Sequence, residues 1–282
     1  MYPYYSRDRI QADLRELGGA IRKSMGQNFL IDPNTIDRLV RPVHEALQTC
    51  SEPSVIEIGP GLGALTHRLI EYAPVTALEL DPMLATLLRR QFEGQANFML
   101  IEGDARRTLA GLTAPVLCGN LPYYITTELI LESLSVPGVQ HLFFLVQTEF
   151  AKRACAKTAE SSFTVFLRNF GEVKLLERVP ASCFYPVPSV ESSFFTVQLY
   201  EERAPAAILE KLLRMSYRSK RKKIRNSWRV GEALLPVETV EDLAPSAGID
   251  AEKRPEEIAI EAYHTLARLI AANVVVDPER HA

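Results

Sequence analysis

The sequence predicts an α/β fold, a mostly parallel sheet with helices on both faces, followed by a small all-helical C-terminal domain. Three observations predict it. Short apolar runs of strand length recur at 54–58, 75–78, 97–101, 114–119 and 139–146, separated by stretches with apolar residues at helical spacing, as in βαβ units. The first run ends in Gly59-Pro60-Gly61-Leu62-Gly63 and passes directly into a helical segment. Near Glu201 to Pro205 the composition changes, and beyond that point only helical periodicity remains. The predicted organisation is an N-terminal extension (1–20), an α/β domain (21–200) and a helical domain (201–282).

At 282 residues, 47% hydrophobic and 24% charged, the chain has the composition of a soluble globular protein with a substantial core. A formal net charge of −3 gives no global sign of a polyanion partner, so any nucleic-acid site has to be a local patch. Cys50, Cys118, Cys155 and Cys183 are widely spaced and have no neighbouring His, which argues for reduced thiols and against a zinc site. No apolar run approaches the ~18 residues that span a bilayer. The N-terminus lacks the basic-then-apolar pattern of a secretory signal. A cytoplasmic location with no membrane partner and no metal is expected.

Residues 6–18 mix charged and apolar side chains and predict a short surface helix before Gly18-Gly19. Ile21-Arg22-Lys23-Ser24-Met25 is a basic lead into Gly26-Gln27-Asn28-Phe29-Leu30, which on its residues alone is a compact loop of structural role. Asp32-Pro33 marks a helix start, with Pro in the first turn. Ile36, Leu39, Val40, Val43 and Leu47 then share one face.

The glycine turn after the first strand lets backbone approach a ligand at a helix start. Its GxGxG pattern differs from the GxGxxG of dinucleotide enzymes. The second strand ends in Glu79-Leu80-Asp81, where a carboxylate can accept both hydroxyls of a ribose. The third ends in Glu102-Gly103-Asp104-Ala105. Asp104 there either accepts from an adenine amino group or caps the next helix. A fourth strand ends in Asn120-Leu121-Pro122-Tyr123. Gly59, Glu79, Asp104 and Asn120 would thus line one edge of one sheet, where open α/β sheets bind ligands.

The residues at 120–123 suit methylation of the exocyclic amine of a flat heterocycle. The Asn120 amide oxygen and the Leu121 carbonyl can accept its two N–H groups. Pro122 stiffens the turn, and Tyr123 offers a ring face worth roughly 1–3 kcal/mol per stacked base. Read locally, the same four residues also make an ordinary strand-to-helix turn.

Residues 139–146 predict a buried fifth strand, 147–156 and 163–170 helices, and 173–179 a further strand. Pro180, Pro186 and Pro188 punctuate a loop on which Phe184 and Tyr185 are, from the residues alone, core plugs. The region of Phe194, Thr196 and Gln198 predicts a closing antiparallel strand. A helix is expected over 206–217. Arg218, Lys220, Arg221, Lys222, Lys223 and Arg225 then place six cations in nine residues. A charge run is usually a solvated face. This one is of a single sign on an acidic chain, is interrupted by Ile224 and is followed by Trp228, as in a helix lying on a phosphate backbone. If about five of these cations neutralise phosphates, binding weakens with salt at a log–log slope of roughly −3 to −5.

Taken in order, Gly26-Gln27-Asn28-Phe29-Leu30, Glu57-Ile58-Gly59-Pro60-Gly61-Leu62-Gly63, Glu79-Leu80-Asp81, Gly103-Asp104-Ala105, Asn120-Leu121-Pro122-Tyr123, Phe184-Tyr185-Pro186-Val187-Pro188-Ser189-Val190 and Arg221-Lys222-Lys223-Ile224-Arg225-Asn226 resemble the ribosomal RNA adenine dimethyltransferases. The resemblance is to the small-subunit (16S rRNA, kasugamycin-sensitivity) branch and runs from about residue 20 onward. It implies a Rossmann-like S-adenosylmethionine-dependent methyltransferase domain and a helical RNA-binding domain. It also implies cofactor contacts by Asn28, Leu30, Gly59, Glu79, Asp104 and Asn120. Asn120, Leu121 and Tyr123 would grip the target adenine, with Phe184 on the other side of a stacking sandwich. The implied product is a pair of adjacent adenosines near the 3′ end of small-subunit rRNA, dimethylated at N6 within an immature 30S particle. Nothing in the sequence points to a dimer, and a monomer is expected.

Three rivals follow from the same residues. A large-subunit rRNA adenine methyltransferase of the antibiotic-resistance type shares the cofactor motifs. A ribosome assembly factor acting mainly by binding would use the basic stretch alone. A small-molecule methyltransferase would have no use for residues 218–225.

Overall fold

The computed structural model describes residues 5–22, 26–219, 221–231 and 234–276. Lys220 and the Lys23-Ser24-Met25 part of the basic lead lie outside them. In chain order the first elements are α1 (Arg7–Glu16), β1 (Phe29–Leu30), α2 (Pro33–Leu47), β2 (Val55–Ile58), α3 (Thr66–Leu69), β3 (Val75–Glu79) and α4 (Pro82–Gln91). Then come β4 (Phe98–Glu102), α5 (Ala105–Thr108), β5 (Val116–Asn120), α6 (Thr126–Ser133), β6 (His141–Gln147), α7 (Thr148–Ala154) and α8 (Ser162–Phe170). The chain closes with β7 (Gly171–Val179), β8 (Phe184–Tyr185), β9 (Ser192–Leu199), α9 (Ala206–Ser216), α10 (Ile224–Trp228), α11 (Val237–Leu243) and α12 (Ile260–Val276).

The local chemistry sets where helices begin. Asp32 caps α2 by accepting from Thr35 N at 2.7 Å, and Asp81 caps α4 by accepting from Met83 N at 3.0 Å. Each is followed by Pro at the first helical position, where its missing N–H costs nothing. Ser161 caps α8 through Thr164 N at 3.1 Å.

Seven strands form one sheet in the order β4-β3-β2-β5-β6-β9-β7. β4, β3, β2, β5 and β6 run parallel to one another, and β9 is antiparallel to β6 from His141↔Gln198 to Gln147↔Ser192. The chain leaves β2 outward through β3 and β4 and then returns to β2's other edge as β5. The switch point of the sheet therefore lies between β2 and β5, and a crevice opens there at the strands' carboxyl ends. Gly119 lies opposite Ile58 in this ladder. A Cβ on Gly119 would collide with the Ile58 carbonyl, so β5 can lie this close only with glycine there.

Two compact units divide the chain: Met1–Ala151 with Lys174–Leu199, and Lys152–Val173 with Tyr200–Ala282. The sequence-based boundary near 201 falls close to one edge of this division, but residues 152–173 join the second unit. Val165 is buried in the same cluster as Leu209, Leu212, Trp228 and Tyr263. Tyr217 Oη donates to Ala159 O at 2.6 Å, and Asn169 exchanges two hydrogen bonds with the main chain of Ala204.

Three further differences from the sequence reading concern local structure. The N-terminal helix is not only a surface element, because Ile10 and Leu14 are buried in the core cluster of the first unit. Phe184-Tyr185 is not loop but a short antiparallel ribbon with β1, pairing Phe29↔Tyr185 and Leu30↔Phe184. The basic stretch is not one helix. A 3-10 turn covers Tyr217–Ser219, and α10 begins only at Ile224, whose N–H is taken by Lys253 O at 2.7 Å. Packing decides this: Ile224 and Trp228 are fully buried and seat α10 by its apolar side.

Candidate active site

The crevice at the switch point is a cleft open to solvent. Asn28, Leu30, Gly59, Glu79, Asp104 and Asn120 all line it. Its floor is the turn after β2, where Gly59 and Gly61 adopt φ of 66° and 61°. A Cβ on Gly61 would stand 3.1 Å from the Phe29 ring, so glycine is required both by the left-handed conformation and by the approach of β1.

Glu79 ends β3 and is 6% exposed. Its Oε2 accepts from Gly61 N at 3.1 Å and its Oε1 from Asp81 N at 2.8 Å. Burial lifts its pKa to about 7 against these two bonds. Glu57, also lining the cleft and buried, accepts from Thr66 Oγ1 at 2.5 Å. Its pKa is likewise about 7, chiefly from burial, with the charge of Glu79 adding to the rise.

Asn120 ends β5, and its Nδ2 donates to Asn28 O at 2.9 Å. That bond leaves the amide oxygen as the acceptor on offer. The loop that carries Asn28 is itself tied to β3's end: Gln27 Nε2 donates to Asp81 Oδ2 at 2.8 Å, and Gln27 Oε1 accepts from Arg22 N at 2.7 Å. Gln27 and Asp81 are thus further residues that shape the cleft, beyond those expected from the sequence. The signal was present, since Asp81-Pro82 repeats the helix-start pattern of Asp32-Pro33.

Asp104 caps α5 through Arg106 N at 3.0 Å and also holds the Arg106 guanidinium, with Nη2 to Oδ2 at 2.6 Å. The Arg106 bonds hold its carboxyl below the usual range. Capping and ligand recognition are thus not alternatives here, because the capping residue lines the cleft.

The remaining predicted groups lie off the cleft lining. Leu121 is buried, with its N–H given to Leu145 O at 3.0 Å, so its carbonyl is the group it can offer. Tyr123 is half-buried and shares a 2.8 Å hydrogen bond between its hydroxyl and Ser192 Oγ. Burial raises its pKa. Phe184 is wholly buried with Phe29 and Leu30 in the core cluster. That position matches the plug read from the residues, and the ring presents no face for stacking. Tyr124, not among the site residues expected from the sequence, lines the cleft and is 60% exposed.

In the second unit the basic residues are not equivalent. Lys223 and Arg225 both pair with Glu252, and Arg229 pairs with Glu241. Arg218 donates to Val230 O. Arg221 and Lys222 are exposed and form no ion pair with a described residue. Among the described residues no group of His, Cys, Asp and Glu is arranged to hold a metal, and no helix is long and apolar enough to cross a membrane.

Acceptors at the ends of β3 and β4, an open glycine turn after β2 and an amide at the end of β5 fit an adenosine carrying a short polar tail. A fold and cleft of this kind define the Rossmann-like S-adenosylmethionine-dependent methyltransferases. The family described as "Ribosomal RNA adenine dimethylase" matches residues 18–272. Ribosomal RNA small subunit methyltransferase A of Hahella chejuensis is 35% identical over 265 residues, covering 89% of this chain and 93% of that protein. The Synechococcus sp. (strain CC9311) protein of the same name is 35% identical over 274 residues, covering 89% and 95%. Among solved structures, the 23S rRNA methyltransferase ErmE superimposes with a TM-score of 0.66 at 26% identity, over 86% of this chain and all of that one. A dimethyladenosine transferase from Plasmodium falciparum superimposes at 0.73 with 24% identity, over 84% and 95%, a likeness of fold. The chain belongs to the ribosomal RNA adenine dimethylase family.

Proposed function

We propose that the protein transfers methyl groups to the N6 amines of two adjacent adenosines near the 3′ end of small-subunit (16S) rRNA, within an immature 30S particle. The carrying observation is the Asn120–Asn28 hydrogen bond, which leaves an amide acceptor at the switch-point cleft. The small-subunit assignment is supported by the 35% identity to small subunit methyltransferases, against 26% to the 23S enzyme. The reading carries with it a cytoplasmic location and a monomeric enzyme.

S-adenosylmethionine supplies an electrophilic methyl group on a sulfonium. The residues of this chain do the rest by binding and alignment. Glu79 accepts from the ribose hydroxyls, Asp104 from the adenine amine of the cofactor, and the Gly59–Gly61 backbone allows close approach. The Asn120 oxygen and the Leu121 carbonyl accept the two hydrogens of the target amine. That turns its lone pair out of conjugation with the ring and along the line of transfer. Tyr123 provides a platform for the extruded base, whose unstacking costs a few kcal/mol. No strong base is required, since the methylated amine is acidic enough to lose its proton to water or a carbonyl. Glu57, Glu79 and Asp104 are therefore binding groups.

Radiolabelled methyl transfer to immature small subunits, mature small subunits, free 16S rRNA and free 23S rRNA tests the reading. Label confined to adjacent adenosines of the immature particle is expected. Label in 23S rRNA would transfer the assignment to the large subunit. Binding to the particle with no label would make the protein an assembly factor.

A further inference from the structure

Arg106 does not line the cleft but grips a residue that does. Its Nε lies 3.0 Å from Asp104 Oδ1 and 3.1 Å from Oδ2, and its Nη2 2.6 Å from Oδ2. Its own N–H donates to Oδ1 at 3.0 Å. On the far side Nη1 reaches Glu128 Oε2 at 2.9 Å, in the first turn of α6, the helix that follows residues 120–123. A planar guanidinium bound to both oxygens fixes the plane of a carboxylate, which a point-like ammonium cannot do. The main-chain N–H, the shared Nε–H and the Nη2–H take roughly three of the carboxylate's four acceptor sites, which leaves one for a donor in the cleft, and an ionised carboxylate has no hydrogen to offer an acceptor.

We propose that Arg106 is a positioning residue that orients Asp104 as an acceptor for the 6-amine of the cofactor's adenine and so sets selectivity for amino- over oxo-purines, with Glu128 steadying Arg106 from α6. The proposal rests on the reading of Asp104 as the adenine contact. Held in one plane, the carboxylate meets a 6-oxo group acceptor to acceptor. Released, it can rotate away and tolerate that group.

The test is calorimetric titration of the full-length protein with S-adenosylhomocysteine and with S-inosylhomocysteine, which carries oxygen in place of the amine. Arg106→Met is expected to weaken the adenosyl ligand by on the order of tenfold and the inosyl ligand by less, so that the preference collapses. Arg106→Lys should restore little of it, because an ammonium cannot bridge both oxygens. Glu128→Ala should move the preference in the same direction by a smaller factor, and supplies the answer if Arg106→Met fails to fold. Equal weakening of both ligands, an unchanged preference, full recovery with Lys, or tighter adenosyl binding in Arg106→Met would each overturn the proposal. Asp104→Ala separates the layers. If it leaves the preference intact, the assignment of Asp104 to adenine itself fails. If it abolishes the preference while the Arg106 variants keep it, only the role of Arg106 falls.

Discussion

The side-chain amide of Asn120 donates to the main-chain oxygen of Asn28 at 2.9 Å, joining the end of β5 to the loop before β1. The bond selects which end of the amide faces the cleft, and two variants separate its parts. Asn120→Ala removes the acceptor and should lower the methylation rate by 10²–10³-fold, the scale for losing one aligned transition-state hydrogen bond. Cofactor affinity should fall only a few-fold. Asn120→Asp keeps an acceptor but sets a carboxylate against the Asn28 carbonyl, so it too should be slow, with weaker cofactor binding than Asn120→Ala. Single-turnover rates and S-adenosylhomocysteine titration measure both. Equal losses of rate and affinity in Asn120→Ala would make residue 120 a cofactor ligand only.

Tyr123 separates in the same way. Its hydroxyl is bound to Ser192 Oγ at 2.8 Å, so Tyr123→Phe loses one neutral hydrogen bond, about 0.5–1.5 kcal/mol of stability, and keeps the ring. Activity should fall less than about tenfold. Tyr123→Ala loses the platform, roughly 1–3 kcal/mol, and should raise the RNA KM on the order of 10- to 100-fold. If Tyr123→Phe is as damaging as Tyr123→Ala in steady-state assays, the hydroxyl and not the ring face carries the role.

Cofactor binding should depend on pH through Glu79. Burial raises its pKa from 4.5 to about 7 in the folded chain. Over that window the native state holds a proton that the unfolded state has released, so this group lowers stability as pH rises from 4.5 to about 7, and no further above it. Hydroxyl donors on a bound ribose favour the carboxylate, so affinity should climb up to roughly tenfold per unit below pH 7 and level off above. Asp104, held low by Arg106, contributes no slope in this range. Titrations with S-adenosylhomocysteine from about pH 5 to about pH 8 should show the climb in the native protein and lose most of it in Glu79→Gln. Glu57→Gln should leave most of the climb in place, because burial, with the charge of Asp81 adding to it, is what raises Glu79. A flat profile in the native protein would mean that Glu79 binds without ionising.

The parallel strands were legible because each is a short apolar run closed by a polar strand end, and the cleft residues were legible because they sit on those ends. What the sequence concealed depends on contacts remote in the chain. Nothing local to Phe184 announces its pairing with Leu30, 154 residues earlier, or that this pairing buries the ring. Arg106 reads as an ordinary surface cation until the turn at Asp104 and the start of α6 are brought to either side of it. Residues 152–173 carry no compositional break. Their place in the second unit is fixed by the apolar cluster around Val165 and by the Asn169–Ala204 bonds.

The first helix should be essential to the first unit, although its role was open in the sequence. Ile10 is fully buried and Leu14 is 2% exposed within the same cluster as Phe29, Leu30 and Phe184. Gln11 donates to the Tyr185 hydroxyl, and the Arg7 guanidinium lies 5.7 Å above the Tyr185 ring. Leu14→Ala should therefore destabilise by about 2–5 kcal/mol in denaturant unfolding. A loss under 0.5 kcal/mol, the usual scale for a surface position, would mean that the helix does not dock in solution.

The basic stretch makes the last prediction, and its ion pairs divide it. Lys223 and Arg225 share the carboxylate of Glu252, so part of the field they offer a phosphate is already offset. Exposed pairs of this kind contribute little to stability, yet they lower the local positive potential that drives counterion release. Arg221 and Lys222 have no such partner among the described residues. They should dominate binding to phosphate. Arg221→Ala with Lys222→Ala is expected to weaken rRNA binding and to reduce the magnitude of the log–log salt slope by about 1.4–1.8. Lys223→Ala with Arg225→Ala should reduce it by less, and Glu252→Gln should increase it. Filter binding or fluorescence anisotropy across a salt series gives all three slopes. Equal reductions from the two double variants would show that Glu252 yields its cations on contact with RNA, so that the pairing seen in the free protein does not rank them.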